Sequence, residues 1–476
     1  MKPGASGQIS LSSKLLYGSG QGVNAVIDTG INTYMLFYLT AVQGMPGTQA
    51  GLVFFLALAI DGVLDPAIGR LSDRWRSRWG RRLPFMTFAL VPMVVSALAV
   101  FSIPTGLGGM ALFAYALLFN VGLRLGLSFF ALPHSALTAE LTDSYAERSN
   151  VTAFRAIFIF VGTLACIWPA SSLILAGERL DTAASYPMLG ALLAGLILFF
   201  GLTCIVGLAP IAPKLRATSQ HETEAGFFRD MVQLGKNKAF MNLLLGGVIV
   251  LMSQGLLLSL NLHAFRYFWE LDADTLTLPL TLIPIGMAVG IPVAGFLLRY
   301  LEKRDLLIGG VAIFAAYSLL IPLAVIFGWV DRGGEVATAL VIAHAVVLGL
   351  VGAACFICLY SMMADAVDEH ALLFGVRREA LFAAGLLLGT KAAAGVGGLI
   401  AGAGLQIIGF PADTSTIAPG ELSPSVVDGI GYLWGPGMAL LCFAGLPFFL
   451  RYHINRKHHE EVVASLAQRA RAPSSG

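Results

Sequence analysis

Apolar runs of about twenty residues, each long enough to cross a bilayer, recur twelve times along the chain. They lie near 22–42, 50–71, 84–104, 108–132, 152–176, 187–209, 239–263, 276–298, 306–328, 336–363, 380–410 and 430–450. The pattern predicts an all-α membrane protein with twelve transmembrane helices. Basic residues crowd alternate loops. Lys2 and Lys14 precede the first run, and Arg70, Arg74, Arg76, Arg78, Arg81 and Arg82 follow the second. Lys214, Arg216, Arg229, Lys236 and Lys238 follow the sixth; Arg299, Lys303 and Arg304 the eighth; Arg377 and Arg378 the tenth; Arg451, Arg456 and Lys457 the last. The loops between carry little beyond Arg179, Arg266 and Arg332. The positive-inside rule therefore puts both termini in the cytoplasm.

The longest polar insert, 213–238, divides the chain into a bundle of six helices at 1–212 and another at 239–451, with a tail at 452–476. GRLSDRWRSRWGRR after the second run is faintly echoed by GFLLRYLEKRD after the eighth. Duplicated halves of this kind rock about a central site, with ligands near the bilayer midplane.

Composition argues against a soluble protein. Hydrophobic residues make up 57% of 476 and charged residues only 12%, about half the charge of a soluble chain. A net charge of +2 gives no reason to expect a nucleic-acid partner. The first twenty residues are polar and rich in Gly and Ser, with no cleavable signal evident. The five cysteines all lie in apolar stretches, and the CxxC of Cys355 and Cys358 reads as helix packing rather than redox or metal chemistry. No Ser/His/Asp set, HExxH or phosphate-cradling loop is plausibly placed. His453, His458 and His459 have metal-ligand chemistry, but a solvated terminus on a short amphipathic helix is the plainer account, and no metal is assigned.

One stretch carries most of the chemistry: DGVLDPAIGRLSDRWRSRWGRRLP at 61–84. Asp61 and Asp65 stand four apart, on one face of a helix and one turn from each other. A charge at mid-membrane costs roughly 2.5–3.5 kcal/mol, so two acids there call for a cation or a proton between them. Pro66 lacks the N–H that would bond the Gly62 carbonyl, which adds a spare oxygen nearby. The alternative is that the helix ends here and both acids reach water.

This stretch, together with LPHSALTAELTDSYAERSNVTAFR at 132–155 and MADAVDEHALLFGVRREALFAAGLLLGTKAAAG at 363–395, resembles the glycoside-pentoside-hexuronide:cation symporter family of the major facilitator superfamily. The likeness runs from KLLYGSG at Lys14 to the last run. It implies a proton or sodium symporter of a sugar-type substrate in the bacterial inner membrane, surrounded by lipid, working as a monomer with no cofactor; some relatives carry lysolipids. By position, Asp61 and Asp65 correspond to the acids that hold the coupling cation, and Ser128 to a hydroxyl near it. Lys391 corresponds to a lysine close to the cation, and Arg155 to an arginine that contacts the sugar.

Departures from the family pattern redirect the expectation. Leu64 stands where a melibiose permease has asparagine, which removes a neutral oxygen from the Na⁺ shell and favours H⁺. Ala25, Ala131 and Ser135 stand where two aspartates and a tryptophan would grip a sugar, so a neutral galactoside is not expected. Asp28, one turn beyond Ala25, either supplies a missing carboxylate or serves in pairing. Arg124, deep in the fourth run, either recognises an anionic group such as a uronate or lipid phosphate or makes a fixed salt bridge to Asp28 or Asp61. Asn24, Tyr34, Gln254, Asn261 and Tyr360 either line the cavity or stitch helices together. His134 reads as a gate or cap, His263 as part of an outer rim, and His344 as a satisfied buried imidazole.

A cytoplasmic latch is expected from Asp73 with Arg74, Arg78, Arg81 and Arg82, partnered by Glu140, Asp143 and Glu147 or by Asp365, Asp368 and Glu369. Topogenic placement alone is the other account of those arginines. Besides a sugar, glycoside or uronate symporter, two alternatives stand: a symporter of a lysolipid or other anionic amphiphile, and a receptor or scaffold that has lost transport.

Overall fold

The computed structural model describes residues 9–142, 144–211, 234–375, 379–411 and 419–471. Asp143, Lys214, Arg216, Arg229, Arg377, Arg378 and most of the 213–238 insert lie outside the described residues. Among the described residues every regular element is helical. In order these are α1 (Leu11–Gly18), α2 (Gly20–Gly30), α3 (Gly47–Arg74), α4 (Leu83–Val100), α5 (Gly109–Leu141), α6 (Tyr145–Pro169) and α7 (Tyr186–Leu208). There follow α8 (Lys238–His263), α9 (Ala273–Leu297), α10 (Lys303–Ile326), α11 (Glu335–Phe374), α12 (Glu379–Ile407), α13 (Pro424–Tyr432), α14 (Met438–Leu450) and α15 (Arg456–Arg471).

Among the described residues, eleven helices are long and apolar enough to cross a membrane. The first span differs because it is not one α-helix: α1 and α2 break at Ser19, and π-turns at Ile31–Met35 and Tyr38–Val42 follow. It also begins earlier than its apolar run, at a Ser10 cap whose hydroxyl accepts from the Ser13 amide. Only 28–50% of each apolar window is buried within the protein. Side chains such as Phe88, Val206 and Leu440 face outward, which water would oppose and lipid tails accept.

Several helices overrun their apolar runs, α5 reaching Leu141. α3 continues through Pro66 to Arg74, and the Pro66 carbonyl accepts from Arg70 Nε at 3.2 Å. α11 has 40 residues, about 60 Å at 1.5 Å per residue, twice the ~30 Å hydrocarbon core. It stops at Gly375, whose φ of +75° is the left-handed cap that suits glycine. Asp365, Asp368 and Glu369 ride on its end.

Packing divides the chain into two compact units. Unit one holds 1–220 with 258–284 and 398–430; unit two holds 221–257, 285–397 and 431–476. In unit one α5 packs against α3 and α4, and α2 against α6 and α7. In unit two α10 packs against α11 and α14, and the tail helix α15 lies on α11.

Candidate functional site

α5 organises the polar interior of unit one. Arg124, Ser128, Ser135 and Thr138 fall on one face of it by helical spacing, and each reaches a neighbouring helix. Ser128 Oγ lies 2.6 Å from Asp61 Oδ1 and 2.7 Å from Asp65 Oδ1. Asp61 and Ser128 are buried and Asp65 is half-buried, so the acids do not simply open to water at a helix end. A serine hydroxyl has one hydrogen to give. One of the two short contacts is therefore a donation from Ser128, and the other needs a hydrogen on the carboxyl or a cation shared by the oxygens.

One turn earlier on α5, Arg124 Nη1 donates to Asp28 Oδ1 at 2.6 Å and Nη2 to Asn32 at 3.5 Å. Of the partners open to Arg124 in the sequence, the ion pair is with Asp28. About two and three turns beyond Ser128, Ser135 and Thr138 accept from Arg155 of α6 at 3.0 and 3.2 Å, and Gln21 of α2 accepts at 3.0 Å. Ser135 thus holds the arginine where an aromatic platform was absent. Arg155 has no carboxylate partner among the described residues.

These contacts converge on α2. Gln21, Asn24, Asp28 and Asn32 recur at helical spacing and form a stripe. On α2 only Gln21, Asn24, Asp28 and Thr29 escape full burial, so the polar stripe is the accessible face of this helix. Asn24 Oδ1, Arg124 Nε and Arg155 Nε are buried without a hydrogen-bond partner. Gln21 and Asn32 were not singled out in the sequence, although their spacing from Asn24 and Asp28 marks the same face. Lys391 is half-buried on α12, in unit two.

Arginines of the connection between α3 and α4 find acids within unit one. Arg82 bridges Asp73 at 3.0 Å and Glu140 at 2.8 Å, and Arg81 reaches Glu140 at 3.0 Å. Arg78 lies over the Trp79 ring, Arg74 closes α3, and Glu147 takes Lys14 at 2.9 Å. In unit two, Asp365 pairs with Lys303 at 2.6 Å.

The ends of α8 and α12 that belong to unit one pack on the first span and α3. His263 Nε2 lies 2.8 Å from Thr40 Oγ1, between Phe37 and Phe410. It is fully buried and not on a rim: the rings enclosing it are distant in sequence. Thr48 N donates to Gln406 at 3.0 Å, and Arg266 Nη2 meets Asp181 Oδ2 at 2.6 Å. Burial raises the Asp181 carboxyl above its ordinary range, and the Arg266 guanidinium pulls it back. His134 ties α1 to α5 by stacking on Tyr17 and bonding its carbonyl at 2.9 Å. His344 is satisfied by Ser318 at 2.8 Å. Tyr34 and Asn261 are buried in packing.

A family model described as MFS/sugar transport protein matches residues 16–456. An uncharacterised symporter of Synechocystis sp. is 26% identical over 97% of both chains. The glucuronide carrier protein homolog of Escherichia coli is 25% identical over 92% of this chain and 91% of its own. The sodium-dependent lysophosphatidylcholine symporter 1 of Gallus gallus is 23% identical over 85% and 80%. The crystal structure of a D-xylose-proton symporter superimposes with a TM-score of 0.63 at 14% identity, covering 94% and 98%, a likeness of fold. The sequence likeness runs through nearly every helix, and by it the chain is a cation-coupled membrane transporter, not an enzyme, and belongs to the glycoside-pentoside-hexuronide:cation symporter family of the major facilitator superfamily.

Proposed function

We propose that the protein carries an anionic sugar derivative, a uronate or uronide, together with H⁺ into a bacterial cell across its inner membrane. The observation that carries this reading is Arg155, a guanidinium beside an accessible polar face and held, among the described residues, by neutral oxygens. A carboxylate is the complement it lacks, and a planar fork binds one bidentately. Asn24 and Asp28 on the stripe would take sugar hydroxyls, with Arg124 steadying Asp28. The glucuronide-carrier relative supports the substrate class. H⁺ is supported by two short contacts through one hydroxyl and by Leu64 in place of a neutral oxygen ligand.

Transport then proceeds by alternating access of two six-helix bundles, 1–212 and 239–451, with both termini cytoplasmic. The proton neutralises the Asp61/Asp65 pair, and substrate binds beside it. The loaded centre can be enclosed because neutral carboxyls resist burial less than carboxylates. Contacts of Thr40, Gly47 and Asp181 with α8 and α12 close the outer end. Asp73, Arg74, Arg78, Arg81, Arg82 and Glu140 brace the inner end.

Proteoliposomes challenged with a uronate, its neutral glycoside and a lysolipid test the proposal. The uronate should alkalinise the outside medium, the neutral sugar should not, and Arg155→Gln should abolish the signal. Equal transport of the neutral sugar, or a requirement for Na⁺, would overturn it. A lysolipid is the second reading, favoured by the lysophosphatidylcholine relative, and a lysolipid signal alone would select it.

The inner brace makes a graded prediction. Asp73 is 56% exposed, whereas Glu140 is 5% exposed and serves two arginines. Exposed pairs contribute about 0–1 kcal/mol, so Asp73→Asn should slow turnover no more than about fivefold. Glu140→Gln should slow it further, with KM unchanged in both. Equal rates for the two variants in a stopped-flow uptake assay would show that the arginines only set topology.

A further inference from the structure

We propose that Glu369, His453 and His458 form a zinc site that clips the tail helix α15 to the protruding end of α11. His453 Nε2 lies 2.7 Å from Glu369 Oε1, and His458 Nε2 lies 3.4 Å from the same oxygen. The three ligand atoms lie within 4.8 Å of one another. Tetrahedral zinc, with bonds of about 2.0–2.2 Å, sets ligand atoms roughly 3.3 Å apart, inside the spread seen here. Small side-chain rotations suffice. Without metal, each imidazole faces the carboxylate through a ring N–H; to take a dication, the ring moves that hydrogen to its other nitrogen and offers the freed lone pair.

The backbone around the ligands is fixed on both sides. Tyr452 is buried and donates to the Met362 carbonyl at 2.9 Å. Asn455 caps α15, its Oδ1 accepting from the His458 amide at 2.8 Å, which sets His458 on the first turn. Arg456 reaches the Leu298 carbonyl at 3.1 Å and Arg469 the Leu372 carbonyl at 2.7 Å, so the tail lies along its neighbours at both ends. The Glu369 side chain is 8% exposed, while those of His453 and His458 are 51% and 41% exposed. A partly open set of two imidazoles and one carboxylate leaves a fourth position for water and suits zinc over calcium or magnesium. Asp365 and Asp368 lie on the same end of α11 as Glu369, near the negative pole of the helix, where a cation is favoured.

Zn²⁺ titration of the full-length protein, purified without a histidine tag, tests the site. One equivalent should bind, and Glu369→Gln or the pair His453→Gln and His458→Gln should weaken it by more than the roughly 10–100-fold lost with an outer-shell partner. His459→Gln should not, because His459 faces Asp368 at 3.2 Å instead. Co²⁺ in the unaltered protein gives a reading independent of variant folding, expected as the intense visible bands of a tetrahedral site. Absence of zinc binding, equal binding in the ligand variants, or a weak octahedral cobalt spectrum would overturn the proposal.

Discussion

Asp61→Asn should abolish uphill accumulation of substrate while leaving exchange of internal for external substrate running. Asp61 is buried with Ser128 between it and Asp65, so its charge state decides whether the centre can be enclosed. An amide there is permanently neutral and mimics the loaded carrier. Such a carrier reorients with substrate bound and never needs the cation. The penalty removed, roughly 2.5–3.5 kcal/mol per charge at mid-membrane, corresponds to about a 100-fold change in the enclosing equilibrium. Accumulation driven by a proton gradient should therefore fall at least about 100-fold, and counterflow by less than about fivefold. Ser128→Ala keeps both charges but removes the hydroxyl that joins them. Hydrogen bonds to charged groups contribute about 1.5–3 kcal/mol, so gradient-driven accumulation should fall at least about tenfold. Gradient-driven accumulation that survives in Asp61→Asn would remove this acid from the coupling site.

The acid pair was legible because two aspartates one turn apart, in an apolar run, have few physical explanations. Ser128 followed by family resemblance, and the contacts place it between those acids. The role of α5 as the shared wall was hidden, because its side chains act on three different helices and spacing within one run cannot say which neighbour a residue reaches. Arg124 shows this: its charge demanded an acid, yet only packing chooses Asp28. The overrun of α11 was missed for another reason. Hydropathy stops at the first acids, whereas ADAVDEHALL keeps good helix formers after polarity returns. Glu369 thereby reaches tail histidines 84 and 89 positions away, a pairing no local motif announces.

Gly402→Ala carries the other large expected effect. A β-carbon at Gly402 would lie 2.2 Å from the Gly47 carbonyl oxygen, and one at Gly47 would lie 2.2 Å from the Gly402 carbonyl. Neither obstacle is a side chain that can swing away. Glycines at both positions let α3 and α12 approach backbone to backbone, and Gly51 against Leu399 continues the same seam. One methyl group must push the helices apart. Overpacking of this kind costs about 1–3 kcal/mol, which shifts the closing equilibrium by roughly 5–150-fold. If this seam closes the outer end, Gly402→Ala should leave the cavity open outward, with uptake down at least about fivefold. An impermeant maleimide should then label a cysteine placed at Thr29, on the open face of α2, faster from outside. Gly195→Ala on α7, where an added β-carbon meets nothing within 4 Å, makes the same chemical change in a helix with room for it and should leave uptake and labelling unaltered. Full transport by Gly402→Ala would mean that the seam yields without cost, and the outer closure would then rest on Thr40–His263 and Asp181–Arg266 alone.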